Sequence, residues 1–196
     1  MSRTSTARAR LVDSARELIH SSNYGAASVQ DLCSAAKVNK GSFYYFFPSK
    51  RDLVLAALDV QWANAKAKVL EPSFAADAPP LERILRFFRR AAQAQNRPVV
   101  LGCPFGNLAV EMATLDETIR DRVRDVFQGY QGYFEGAIAE AIAAGDIEPR
   151  DVSAAAEALL AYFQGALLLA KTRNDAGTIE RLGPAAMNLL GAKHGC

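Results

Sequence analysis

Apolar residues recur along most of this chain at three- and four-residue intervals, the spacing of one face of an α-helix. Leu11, Val12, Ala15, Leu18 and Ile19 form a first stripe. It predicts a helix from about Thr6 that closes near Asn23-Tyr24-Gly25, where glycine suits a left-handed cap. A short stripe follows at Val29, Leu32, Cys33 and Ala36, and another at Phe43 and Phe46 or Phe47. Leu53, Val54, Ala57, Leu58, Trp62, Ala65 and Val69 continue the period to about Leu70, a rod of roughly 30 Å at 1.5 Å per residue. From Pro80 to Asn96, Leu81, Ile84, Leu85, Phe88 and Ala92 face inward and Arg86, Arg89 and Arg90 outward. Pro104 opens a helix with Phe105, Leu108, Ala109 and Met112 on its apolar side, proline being suited to a first helical position. Thr114 with Glu117 reads as the cap of a long helix to Ala144, striped by Ile119, Val123, Val126, Phe127, Tyr130, Phe134, Ile138 and Ile142. Gly129, Gly132 and Gly136 share its other side, where each costs about 1 kcal/mol against alanine; the stripe predicts a bend or a close backbone neighbour. Two Ala/Leu-rich helices, about 150–172 and 176–191, end the chain. There is no strand-like alternation and no repeat. The pattern predicts an all-α fold of about nine helices.

The stretch Ser28 to Lys50 has the sharpest local grammar. Ser28 and Asp31 form a capping box ahead of the second helix. Lys37-Val38-Asn39 is a three-residue break, and Asn39 can cap a third short helix. Pro48 stops that helix, and Ser49 with Asp52 opens the next. Two short helices around a tight turn are a helix-turn-helix. Lys40, Ser42, Tyr44, Tyr45 and Lys50 stay outside its apolar face, a mixture that suits phosphates and base edges. The organisation read from this pattern is a head over residues 1–50 and a body over 51–196. Glu71 to Pro80, with three prolines, is the one linker-like stretch.

Charge sharpens the division. Residues 1–50 hold seven Lys/Arg against three Asp/Glu, whereas the remainder holds 16 against 18. A basic head on a mildly acidic body points to a polyanion at the head alone. Arg3, Arg8 and Arg10 make a basic N-terminal arm of the kind that follows a phosphate backbone. With 196 residues, half of them hydrophobic, the chain has ample material for a core. No apolar run reads as transmembrane and no secretory h-region opens the chain, so a cytoplasmic location without membrane contact is expected. Three widely spaced cysteines predict no disulfide framework, and no Cys or His pairing supports a metal site. No cofactor is expected.

Lys40-Gly41-Ser42-Phe43-Tyr44-Tyr45-Phe46-Phe47-Pro48-Ser49-Lys50, preceded by Asp31-Leu32 and Ala35-Ala36, resembles the DNA-binding head of TetR/AcrR-family transcriptional regulators. Lys37 stands where that family usually has glycine. The resemblance implies a pseudo-palindromic double-stranded DNA operator, contacted by Ser28, Gln30, Lys40, Gly41, Ser42, Tyr44, Tyr45 and Lys50. It also implies a body that binds a small-molecule effector and forms a homodimer. The last two helices would make the dimer bundle, through Leu159, Leu160, Phe163, Leu167, Met187 and Leu190. Leu101 to Glu111, LGCPFGNLAVE, looks like the sixth helix of a subgroup that includes sensors of reactive electrophiles and unsaturated acids. Cys103, Asn107 and Glu111 recur every four residues on that helix. Cys103 lies at its N-terminus, where the helix dipole favours a thiolate. With Trp62, Phe88, Phe105, Met112, Tyr130, Tyr133 and Phe134 they are the candidate effector contacts, an apolar pocket with few polar groups.

The leading expectation is thus a repressor released by a small apolar or electrophilic effector. An activator of the same fold and an enzyme with Cys103 as nucleophile are the alternatives. The enzyme needs a base near Cys103, and the only histidines, His20 and His194, fall in the head and the tail. A helical interaction module without DNA binding leaves the basic head and exposed tyrosines without a purpose.

Overall fold

The computed structural model describes residues 3–21 and 24–192. Nine helices make up the described residues, which contain no strand; one isolated bridge pairs Ile147 with Ala192. They are α1 (Arg3–Ser21), α2 (Val29–Ala36), α3 (Lys40–Phe46), α4 (Lys50–Ala65), α5 (Pro80–Ala94), α6 (Pro104–Met112), α7 (Glu117–Ala144), α8 (Val152–Arg173) and α9 (Gly177–Leu189). The rod expected to end at Leu70 is interrupted. After Ala65 it passes through a π-helical turn, Lys66–Leu70, and one further turn, Glu71–Ser73. Pro72 has no N–H to donate, so the ladder cannot continue in α register through it.

Two compact units emerge. One comprises residues 1–63 and 103–124, the other 64–102 and 125–196. The head expected over residues 1–50 therefore gains the first part of α4, all of α6 and the start of α7. Packing across the chain placed α6 there, and local pattern carries no record of it.

In the first unit, α1 packs on α2, α3 and α6. Leu11, Ala15, Ile19, Leu32, Phe43, Leu53, Val54 and Leu58 fill its core. In the second unit, α5 packs on α9, and α9 on α8. Its centre is an aromatic cluster around Phe87, whose ring lies 4.6 Å from that of Phe163, 5.2 Å from Phe134 and 5.7 Å from Phe88. Phe87 is the cluster's hub although the α5 stripe singled out Phe88; both are fully buried. Arg83, also on the buried side of α5, donates to the Ala78 carbonyl at 2.6 Å and pairs with Glu140 at 2.8 Å. A buried guanidinium needs both partners.

Two local readings change. The long helix is capped by Asp116, whose Oδ1 accepts from the Ile119 N–H at 3.1 Å, not by Thr114. A Cβ on Gly132 or Gly136 meets nothing within 4 Å, so among the described residues no backbone lies close at these two positions. Asn23, His194 and Cys196 lie outside the described residues.

Candidate nucleic-acid interface and effector region

The helix-turn-helix is built by the caps its sequence announces. Ser28 Oγ accepts from the Asp31 N–H at 3.2 Å, and Asp31 accepts from the Ser28 N–H at 2.8 Å. The Ser28 hydroxyl and N–H hold the Asp31 carboxyl below the usual carboxylate range. Lys37 ends α2 in the left-handed region at φ 52°, ψ 50°, and its N–H reaches the Cys33 and Ser34 carbonyls. A lysine thus takes a conformation that favours glycine. Asn39 caps α3, accepting from the Ser42 N–H at 2.7 Å. Ser49 and Asp52 are likewise hydrogen-bonded at 2.6 Å, and the Asp52 N–H donates back to Ser49 Oγ at 3.3 Å.

On α3 the four aromatics divide. Phe43 is wholly buried and Phe47, just past the helix, nearly so; Tyr44 is 56% exposed and Tyr45 76%. The ring of Phe43 meets Tyr44 edge-on at 5.1 Å, and Tyr45 meets Phe46 at 4.9 Å. Each exposed ring therefore leans on a neighbour and is held up toward solvent. Gln30, Lys40 and Gly41 are exposed and Ser42 half-buried. Arg8 lies over the Phe47 ring at 5.3 Å. This edge offers cations, hydroxyls and π faces, the groups that meet phosphates and bases.

Lys50 stands apart from that edge. Its ammonium donates to the backbone carbonyls of Tyr24 and, at 2.5 Å, Ala27, and sits 4.0 Å from the Tyr24 ring centroid. Desolvation pushes its pKa down, against the opposing pull of Glu111 and Asp31. The cation expected on a phosphate is engaged by the loop between α1 and α2.

Of the expected effector contacts, Trp62, Cys103, Phe105, Asn107, Glu111 and Met112 belong to the first unit, and Phe88, Tyr130, Tyr133 and Phe134 to the second. Cys103 is buried and free of any disulfide, and caps α6: the Gly106 N–H donates to its Sγ at 3.3 Å. The Trp62 and Phe105 rings meet edge-on at 6.4 Å. The two polar candidates face the head. Asn107 Nδ2 donates to the His20 carbonyl at 3.1 Å. The Glu111 carboxylate accepts from the Tyr24 N–H at 3.2 Å and from the Gly25 N–H. In the second unit Phe88 and Phe134 are core, Tyr130 is nearly so, and Tyr133 packs on Phe74 at 5.5 Å. Burial, then Glu71, raises the Tyr133 pKa.

Gln164 is a residue the stripes passed over. Its Nε2 is buried without a hydrogen-bond partner, and such a donor has a cost of about 1–3 kcal/mol. It is the lone amide between Leu160 and Leu167 on an otherwise apolar line of α8, which was the available signal.

The residues expected at a dimer contact divide by burial in the protomer. Leu159, Leu160, Phe163, Leu167 and Leu190 are buried within the protomer, and Met187 is half-buried. The open side of α8 runs Ala154, Ala158, Ala161, Gly165, Leu168, with Leu168 61% exposed; on α9 it is Pro184, Ala185 and Leu189. By length and composition α8 is also able to cross a bilayer, contrary to the expectation of no such run. Its residues divide instead between a face packed in this unit and an open one of small side chains.

Residues 11–57 match the model of bacterial regulatory proteins of the tetR family, and residues 80–185 that of the tetracyclin repressor-like C-terminal domain. The chain is 32% identical to the transcriptional regulator AcuR of Cereibacter sphaeroides, over 85% of this chain and 77% of AcuR. It is 28% identical to the transcriptional repressor DhaR of a Mycobacterium species, over 89% and 87%. The crystal structure of a regulatory protein TetR from Rhodobacter sphaeroides superposes with a TM-score of 0.84 at 28% identity, covering 93% of this chain and 98% of that one. With a helix-turn-helix capped at both helices and an all-helical C-terminal part following it in the sequence, the chain belongs to the TetR family: it is a DNA-binding transcriptional regulator, not an enzyme.

Proposed function

We propose that the protein is a homodimeric repressor, acting in the cytoplasm on a pseudo-palindromic operator and released by a small apolar or electrophilic effector. The observation that carries this reading is the placement of α6. Cys103 caps its N-terminus, and the same helix holds the end of α1 through Asn107. Alkylation of the buried Sγ adds bulk at the cap and disturbs its contact with the Gly106 N–H, so chemistry at one end of α6 reaches α1, which packs on α2 and α3. Relatives named as repressors, DhaR among them, support the direction of control.

Lys40, Gly41, Ser42, Tyr44 and Tyr45 on α3 are the proposed groove contacts, with Ser28 and Gln30 at the start of α2. A second copy covers the small-residue face of α8 and α9, where Gly165 has nothing within 4 Å of its Cβ position. That dimer would present two α3 helices about 34–36 Å apart, or a multiple of it. In the body, Gln164 Nε2 is the donor an effector carbonyl or carboxylate would satisfy.

The test compares the unmodified protein with Cys103→Ser, which keeps a capping oxygen. Each is bound to a duplex selected from random DNA by the unmodified protein, then exposed to an enal or a quinone. The expected result is release of the unmodified protein and retention of the variant. Equal release of both refutes the electrophilic effector and leaves Cys103 as a cap.

A further inference from the structure

We propose that Glu111 and Lys50 are positioning residues for DNA binding, which grip the segment Tyr24–Ala27 through its peptide groups and so set the entry into the helix-turn-helix. The inference rests on the DNA-binding function of the family and goes beyond it, to the residues that fix the reading helix.

Tyr24–Ala27 leads directly into Ser28, the cap of α2. Tyr24 is buried, but Gly25 and Ala26 are exposed and Ala27 half-buried. Their small side chains offer little to anchor the segment by apolar packing. Its backbone groups are taken up instead. The Glu111 carboxylate accepts from two successive N–H groups, Tyr24 and Gly25. The Lys50 ammonium donates to the carbonyls of Tyr24 and Ala27 and lies on the Tyr24 ring. Charge-assisted hydrogen bonds are about twice as strong as neutral ones. Tyr24 is the shared point: its N–H meets the carboxylate, its carbonyl and ring meet the ammonium. Lys50 is also the first residue of α4, directly after the Phe47-Pro48-Ser49 exit from α3. The grip therefore ties the entrance of α2 to the exit of α3, and α6 supplies half of it.

Gly25 offers a second handle on the same contact. A Cβ there would lie 3.1 Å from Glu111 Oε1, tighter than ordinary contact, and its φ is not in the left-handed region. An alanine at this exposed position would disturb the carboxylate and little else.

The experiment measures affinity for a duplex selected from random DNA by the unmodified protein, across a salt series. Glu111→Gln replaces one accepting oxygen with a donor facing an N–H. Gly25→Ala crowds the same oxygen from the other side. Each should weaken binding roughly tenfold, on the scale of one charge-assisted hydrogen bond. The combined variant should be no weaker than the worse single, since both act on one contact. The salt slope should stay unchanged, because neither residue meets a phosphate. Hydrogen exchange at the Tyr24 and Gly25 amides should accelerate in Glu111→Gln. Affinities within twofold of the unmodified protein, with only the melting temperature lowered, would reduce Glu111 to a stabilising contact and overturn the proposal. Multiplying losses in the combined variant would overturn it as well. Lys50→Gln should weaken binding at constant slope; a slope lower by about one unit would return Lys50 to the phosphate and break that half of the grip. Failure of the unmodified protein to select any duplex would overturn the DNA-binding function itself, a separate outcome.

Discussion

Helix α3 and helix α8 both carry more apolar surface than one face can bury, yet their side chains sort by different rules. On α3 the surplus is two tyrosines. Each has a hydroxyl that prefers water, and they stand out while Phe43 and Phe47 go in. On α8 the surplus is alanine, glycine and leucine, with no polar tip to decide direction. There the division between Phe163 inside and Leu168 outside is set by what packs against the helix. Chemical contrast within a helix makes its faces legible; uniform chemistry leaves them to tertiary structure.

The largest expected effect tests the α8 side of that contrast. Phe163→Ala empties a place in the aromatic cluster and should destabilise the fold by about 3–5 kcal/mol, measured by denaturant unfolding. Leu168→Glu, five residues on, should leave protomer stability within about 0.5 kcal/mol and yield a monomer by light scattering. A Leu168→Glu protein that remains dimeric would place the interface elsewhere.

The α3 side comes next. Tyr45→Ala should lower affinity for the selected duplex by about 1–3 kcal/mol, the scale of a base contact, without moving the unfolding midpoint. Loss of stability with unchanged affinity would make Tyr45 a packing residue.

A smaller effect is expected at the turn between α2 and α3. Lys37 is held at φ 52°, where a side chain is strained. Lys37→Gly should stabilise the fold by about 0.5–1 kcal/mol, after the entropy glycine loses on folding is set against the relief. A destabilised variant would show that the lysine side chain offsets its own strain.

The smallest concerns pH. The Asp31 carboxyl is held below its ordinary value of 3.8 by the Ser28 hydroxyl and N–H. A folded pKa lower than the unfolded one contributes stability above the unfolded value and loses it as pH falls through the folded one. Asp31→Asn should therefore flatten the acid-side fall in melting temperature below about pH 4, as read by a thermal series. An identical acid slope in both proteins would place the titrating group elsewhere.

The start and stop signals of the helix-turn-helix were present in the chain, whereas its left-handed turn falls on Lys37, a residue that does not announce it. Ser28, Asp31, Asn39, Pro48, Ser49 and Asp52 act over three residues or fewer, and the structure places each cap where its spacing indicates. The all-helical class and the existence of α5 to α9 were equally legible, because helical burial repeats on a fixed interval, although which face of α8 is buried was not. Long-range partners were not. Asn107 and Glu111 read as polar groups on a pocket wall, since a stripe records which residues share a face and not what that face meets. Only the packing of α6 against α1 turned them toward the peptide groups of His20, Tyr24 and Gly25. The same limit applied to Lys50, whose spacing suited a phosphate but whose ammonium found two carbonyls 23 and 26 residues earlier. Local hydrogen bonds and helical period are written in the sequence because their geometry closes within a turn or two; contacts between distant segments depend on how the helices pack.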